Sequence, residues 1–335
     1  DQALPVVLRH CAPRSIDDAD DRERHHHRNE MPRRVRQDGQ RKPDEAVEIS
    51  FWGTIETNYD NNALSFKHVG PEKVLAVPYD MPVVGYHVDT VNTLRLWNAE
   101  PTSFGPNQDV LSYKRDTEAI TDFLYPDDTH DEGKILRLKQ QYFLVSSSIQ
   151  RIIPSYKKEN QNVRELHHSV AIHINDTHPA LAVPELMRIL IDVEGLTWDE
   201  AWDVTTNTLS YTNHTILSEA LEKWPIYLFK PLLPRIFMII EEINERFCAE
   251  LWDRYPGEWE RIEHMAIIAH DLVKMAHLAI VGSSSINGVA KIHSDILKNR
   301  EMKSFYEIYP HKFNNKTNGI THRRWLLKAN PELTE

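Results

Sequence analysis

The stretch Ile172–Leu190, IHINDTHPALAVPELMRIL, constrains the fold more than any other part of the chain. It opens as a short apolar strand and closes as an amphipathic helix, with Leu186, Met187, Leu190 and Ile191 on one helical face. Between them stands a polar knot of Asn175, Asp176, Thr177 and His178, followed by Pro179. In α/β sheets, ligands bind where strands end and the next helix begins, which is where this knot falls. Pro184 suits the first turn of the helix, and Gly195 suits its end.

The surrounding pattern sorts into regions. AVEISFWGTIETN alternates apolar and polar residues, SFKHVG and KVLAVPYDMPVVGY follow, and TVNTLRLWNAE alternates again, so residues 46–100 read as strand-rich. From 112 to 300 the period becomes helical. KILRLKQQYFLVSSSIQRII carries an apolar stripe through Leu138, Tyr142, Val145 and Ile149, and Pro154 is expected to end that helix. TWDE opens the next helix with a capping box from Thr197 to Glu200. LLPRIFMIIEEINERFCAELWDRYPG is a long helix stopped by Pro256-Gly257, and LVKMAHLAIVGSSSINGVAKIHSDIL, rich in Ala, Gly and Ser, is expected to be buried. Residues 1–45 are arginine-rich, acidic and nearly aperiodic beyond Leu8, and are expected to stay disordered. The run His25-His26-His27 lacks the helical spacing of a useful histidine pair and reads as a solvated tail rather than a metal site.

Composition limits the partners. The 335 residues carry a net charge of −11, which argues against a nucleic-acid surface and against anionic membranes. No apolar run approaches the roughly 20 residues that span a bilayer. Two cysteines, Cys11 and Cys248, make no disulfide framework, and a reducing cytoplasm is the simplest setting.

Several polar clusters are candidates for chemistry. Asp176 can accept hydrogen bonds from hydroxyls, and His178 can donate or accept near neutral pH. The residues alone fit a helix cap and a satisfied histidine more readily than a sugar site. Tyr211, Thr212, Asn213 and His214 form a second knot before an expected helix that carries Glu219, although Asn and Thr also serve simple turns. LYPDDTHDEGK is a third, with a turn at Pro126-Asp127-Asp128 and flexibility expected from Gly133. HKFNNKTNGITHRRW offers Lys312, Lys316, Arg323 and Arg324, in which a basic surface turn is commoner than an anion site. There is no G-x-G-x-x-G, P-loop or G-x-S-x-G pattern.

Taken in order, VLAVPYDMPVVGY, TVNTLRLWNAE, LYPDDTHDEGKILRLKQQYF, INDTHPALAVPELMRILID, YTNHTILSEALEKWP, LLPRIFMIIEEINERF, NGVAKIHSDILK and HKFNNKTNGITHRRW resemble the α-glucan phosphorylases over residues 46 to 335. The resemblance implies part of the N-terminal Rossmann-like domain of a two-domain α/β glycosyltransferase. It implies phosphorolysis, in which orthophosphate releases the terminal α-1,4 glucosyl unit of a glucan as glucose 1-phosphate. It implies pyridoxal phosphate held on a lysine, an active site between two domains, and a homodimer. His214 matches the cleft histidine that meets the glucosyl unit. Asp176 and His178 match residues lining the glucan side of the cleft, which favours hydroxyl binding over the plain cap. Asp128 matches the acid of a gating loop. Thr129 stands where many relatives have Asn, which puts its sugar contact in doubt.

Other features depart from the family pattern. Pro154-Ser155 replace the arginine pair of the animal regulatory site, and His322 replaces a proline. The glycine-rich loop, the cofactor lysine and the phosphate-binding cations have no counterpart in these 335 residues, so no activity is expected of this chain alone. A non-catalytic glucan-binding fragment or an inert pseudogene product is the alternative.

Overall fold

The computed structural model describes residues 4–8, 39–60, 63–84, 89–102, 109–160, 162–320 and 322–334. Its first elements are strands β1 (Leu4–Leu8), β2 (Gln40–Arg41), β3 (Val47–Phe51), β4 (Thr54–Asp60), β5 (Ala63–Val69), β6 (Glu72–Val84) and β7 (Val91–Pro101). Helices α1 (Val110–Asp122) and α2 (Asp131–Glu159) follow, then β8 (Val170–Asn175), α3 (Ala182–Arg188), α4 (Trp198–Thr208), β9 (Leu209–Asn213) and β10 (Lys223–Pro225). Next come α5 (Ile226–Leu232), α6 (Pro234–Arg254), α7 (Trp259–Met265), β11 (Ile268–Ala269), β12 (Leu272–Lys274), α8 (Met275–Val281) and β13 (Ser285–Gly288). The chain then passes through α9 (Lys291–Ile296), α10 (Lys303–Ile308), β14 (Phe313–Asn315), α11 (His322–Ala329) and α12 (Pro331–Thr334).

The architecture is mixed α/β. A five-stranded parallel sheet runs in the order β1-β8-β9-β13-β14. Strands β2, β6, β3 and β7 form an antiparallel sheet, β4 and β5 a hairpin, and β10, β12 and β11 a small antiparallel sheet. The alternation in VEISF does what period-2 patterning dictates: Ile49 and Phe51 are buried while Glu48 is exposed. Strand β8 buries Ile172 and Ile174, and the short helix α3 is buried all round, consistent with a place beneath other helices. The capping box forms, with Thr197 Oγ1 accepting from Glu200 N and Glu200 Oε2 accepting from Thr197 N at 2.9 Å. Gly195, at a left-handed φ of 72°, turns the chain so that Leu196 N–H reaches the Leu190 carbonyl at 2.9 Å.

Four expectations change. Helix α2 runs through Pro154 to Glu159. Ile149, Ile153 and Tyr156 are buried on either side of the proline, and core packing outweighs its propensity cost of about 3 kcal/mol. Gly133 is a close-approach residue rather than a source of flexibility, because a Cβ there would lie 1.7 Å from the Asp127 carbonyl oxygen. SEALEKWP is a single 3-10 turn at Ser218–Ala220 followed by β10, not a regular helix. Trp224 is buried there opposite Val273 of β12. Finally, within the segment expected to be disordered, Leu4–Leu8 pairs with Val170–Ile174 as the edge of the parallel sheet, and Gln40–Arg41 pairs with Tyr79–Asp80. An apolar LPVVL run beside an open strand edge gains a full ladder of hydrogen bonds. Cys11 and His25-His26-His27 lie outside the described residues.

A buried ionic cluster ties α2 to α3. Glu185, fully buried, accepts from Tyr142 OH at 2.9 Å, Ser146 Oγ at 2.6 Å, Arg188 Nε at 2.7 Å and Arg188 Nη2 at 2.8 Å. Every lone pair direction of the carboxylate is used, so the charge is compensated. Glu185→Ala strands the Arg188 guanidinium and is expected to lower unfolding stability by about 3 kcal/mol or more in urea titrations. Adding Arg188→Met to it should cost much less than the sum of the two single changes.

His277 supplies a pH dependence. Burial pushes its imidazole down to about 3, while its Nδ1–H donates to the Met265 and Ala266 carbonyls at 3.0 and 3.1 Å. The folded chain therefore keeps this ring neutral, whereas the unfolded chain protonates it below about 6.5. The unfolded state binds the extra proton, so stability is expected to fall by up to about 1.4 kcal/mol per pH unit as pH drops across that window. His277→Gln should flatten that part of the urea-stability profile.

Candidate functional site

The parallel register decides where the polar knots end up. Asn175 lies opposite Thr212, and Asn213 lies opposite Gly288. The carboxyl ends of β8, β9 and β13 are therefore side by side, and the segments leaving them share one corner of the sheet.

At the end of β8 the backbone turns sharply. Asp176 adopts a left-handed φ of 62°, which Asp tolerates better than a branched residue. Its N–H donates to the Thr212 carbonyl at 2.8 Å, its Oδ1 accepts from Thr177 N at 2.8 Å, and its Oδ2 accepts from Thr215 Oγ1 at 3.5 Å. Asp176 and His178 are half-buried, and Thr177 is buried. The carboxylate thus bridges the two strand ends and, against the sequence expectation, does not cap helix α3, whose N-cap is Leu181 with no side-chain cap bond.

His214 leaves the end of β9. Its side chain is exposed, and Nε2–H donates to Asn175 Oδ1 at 2.8 Å, which spans the same two strands from the solvent side. Behind it the corner is held by both local and long-range hydrogen bonds. Asn213, fully buried, donates from Nδ2 to Tyr211 OH at 2.9 Å. Its Oδ1 accepts from Thr215 N at 2.9 Å and from His293 Nε2–H at 3.1 Å. The second ring nitrogen of His293 accepts from Val289 N at 3.1 Å. One nitrogen donates and the other accepts, so the ring is neutral. Burial lowers its pKa, and the neighbouring His214 pushes the same way. Gly288 permits this packing, because a Cβ would meet Ser294 Oγ at 2.3 Å and hold α9 off the strand end. Asn287 adds a bond from Nδ2 to Thr212 Oγ1 at 3.1 Å.

The third knot approaches from the start of α2. Asp127 Oδ1 accepts from Thr129 N at 3.0 Å and from Thr129 Oγ1 at 2.8 Å, so the threonine hydroxyl braces its own turn. Those bonds hold the Asp127 carboxyl below the usual carboxylate range. Asp128 Oδ2 accepts from Arg137 Nη1 at 2.9 Å. The other end of Arg137 lies 3.5 Å from Glu222, whose Oε2 accepts from Thr177 Oγ1 at 3.2 Å. Asp128, Thr177, His178 and Glu222 therefore belong to one polar cluster.

Sequence reasoning named Asp128, Thr129, Asp176, His178 and His214, with Asn175 and Asn213 in the same polar knots, and missed Arg137, Glu222 and His293. The unusual density of Asn, Thr and His at two strand-to-helix junctions marked the knots, and no local signal of that kind marked the missed three. Glu219, exposed, sits on the 3-10 turn beyond His214. The fourth knot divides. Lys312 Nζ turns inward and donates to the Ile280 and Val281 carbonyls at the end of α8, where burial pushes its ammonium down to about 8. Lys316 Nζ donates to Asn314 Oδ1 at 3.0 Å, and Arg323 is exposed on α11. Among the described residues no group of three or more His, Cys, Asp or Glu side chains forms a metal site. Nor is any helix among them long and apolar enough to cross a membrane.

A family model described as carbohydrate phosphorylase matches residues 21–335. The chain is 63% identical over 312 residues to a protein named glycogen phosphorylase from Bacillus subtilis (strain 168), covering 92% of this chain and 39% of that protein. It is 48% identical to the muscle form of glycogen phosphorylase from Mus musculus and 47% identical to that from Homo sapiens, each over 314 residues. Those matches cover 88% of this chain and 37% of each relative, so the chain spans well under half the length of the relatives it matches.

The His293–Asn213 contact gives a direct test of how the corner is held. His293→Leu leaves Asn213 Oδ1 and Val289 N–H short of a partner, and about 2 kcal/mol of stability should be lost. His293→Gln, which can return an N–H to Asn213, should recover part of that loss in the same urea titration.

Proposed function

The chain belongs to the carbohydrate phosphorylase family, and on that premise we propose that it forms the N-terminal, Rossmann-like part of a two-domain, homodimeric, cytoplasmic α-1,4-glucan phosphorylase. The whole enzyme is a glycosyltransferase in which orthophosphate attacks the terminal glucosyl unit of a glucan and releases glucose 1-phosphate. The observation that supports this reading is the shared corner at the ends of β8 and β9, where Asp176 is bonded by Thr215 and His214 by Asn175.

The roles follow from what each group offers. A glucosyl unit is a ring of hydroxyls, each of which needs both donors and acceptors once water is excluded. Asp176 presents carboxylate oxygens and His214 an imidazole nitrogen at that corner, and His178 follows Asp176 on the side facing Glu222. The exposed His214, steadied by Asn175, is placed to meet the glucosyl unit at the bond that breaks. Asp128, held by Arg137, presents a carboxylate from the α2 side, and Thr129 shapes that loop through its bonds to Asp127.

The family's cofactor is pyridoxal phosphate, and this reading assigns its lysine to another part of the enzyme. Lysines around the corner are engaged elsewhere, Lys316 with Asn314 and Lys291 with Asp295. The 335-residue sequence holds no glycine-rich phosphate loop. We place the cofactor lysine and the cations for orthophosphate outside these 335 residues. Electrostatic stabilisation of a transferring phosphate needs such groups, so this chain's share of the reaction is to bind and orient the glucan.

Calorimetry of the purified chain with maltoheptaose tests the reading. Binding is expected, with affinity lowered at least about tenfold by His214→Ala or Asp176→Ala, the effect of losing one well-made polar contact. No glucose 1-phosphate should form from maltoheptaose and orthophosphate. Affinity unchanged by both substitutions would contradict the placement of the site.

A further inference from the structure

Glu222 is not assigned a role by the sequence motifs, yet it stands at the meeting point of the site's separate parts. It directly precedes β10, and its carbonyl accepts from Met275 N at 3.1 Å, which fixes its backbone. Its side chain is only 12% exposed. Oε1 accepts from Gln141 Nε2 at 2.8 Å and lies 3.5 Å from Arg137 Nη2. Oε2 accepts from Thr177 Oγ1 at 3.2 Å and lies 4.0 Å from His178 Nδ1. Arg137 Nη1 in turn donates to Asp128 Oδ2 at 2.9 Å.

A carboxylate this shielded is stable only where donors surround it, and here the donors come from α2 and from the junction after β8. Arginine's planar fork suits the bridging position, since its two terminal nitrogens can face different carboxylates. The Asp127–Thr129 turn is itself stiff, being closed by its own hydrogen bonds and by the close approach at Gly133. A stiff turn moves as a unit, so its position is set by where it is attached.

We propose that Glu222 is a positioning residue which, through Arg137 and Thr177, fixes the Asp128 turn against the Thr177–His178 junction, so that the two sides of the glucan corner are set together. This rests on the reading that the corner binds glucan. Glu222 acts through its neighbours and does not touch the sugar. Residues on opposite sides of the corner are coupled by one shared carboxylate, and loss of either half of the bridge has the same consequence.

The experiment compares the chain with Glu222→Gln, Arg137→Met and the double variant by amide hydrogen exchange without ligand and by maltoheptaose calorimetry. Glu222→Gln keeps the side chain's length and removes its charge. Faster exchange confined to residues 127–133 and 176–178 is expected, with α4 and β9 unchanged. Maltoheptaose affinity should fall about tenfold in each single variant, the effect of losing one charge-assisted contact, and no further in the double variant. Uniformly faster exchange would assign Glu222 to general stability and overturn the proposal, as would unchanged exchange or additive losses of affinity. If the unsubstituted chain binds no maltoheptaose, the glucan reading fails, while the exchange pattern still decides whether Glu222 couples the two segments.

Discussion

Everything at the candidate site depends on the pairing of three parallel strand ends. Asn175 beside Thr212 and Asn213 beside Gly288 bring together segments that are far apart along the chain. A slip of one residue in either pairing would turn Asn213 away from His293 and His214 away from Asn175. The buried parts of these strands, Ile172, Ile174, Leu209, Tyr211 and Ile286, resist such a slip because they have no apolar place to go. The register is therefore enforced by the core and read out by polar residues at its edge.

The corner has two layers with different duties. Asn213, His293, Tyr211 and Thr212 form an inner layer whose hydrogen bonds are satisfied within the protein. Burial lowers the pKa of the His293 ring, whose two nitrogens are engaged by Asn213 and Val289. Asp176, His178 and His214 form the outer layer, partly or largely open to solvent. A left-handed Asp176 marks the boundary between them, a strained backbone position of the kind that surrounding structure must hold in place.

Local sequence revealed what local physics determines. The capping box at Thr197–Glu200, the turn at Gly195, the alternation of VEISF and the strand-to-helix junction at Asn175–Pro179 were all readable, because each depends on residues within a few positions. Asp176, His178 and His214 stood out for the same reason. Glu222 and His293 did not, since their partners are 45 to 81 residues away: Thr177 and Gln141 for one, Asn213 for the other. Pro154 misled because tertiary burial of Ile153 and Tyr156 overrides propensity. Gly133 misled because a glycine needed for close approach looks the same in sequence as one needed for freedom. The strand Leu4–Leu8 was hidden in a polar segment, where five residues give too short a pattern to separate from noise.

The central claim is that the ends of β8 and β9 form one face of a glucan site. Mapping amide chemical shifts while maltoheptaose is titrated into the isotope-labelled chain tests it most directly. The account predicts saturable shifts centred on Asn175–His178 and Asn213–Thr215, with a smaller set at Asp127–Thr129. Shifts confined to other surfaces, or none at saturating sugar, would contradict it.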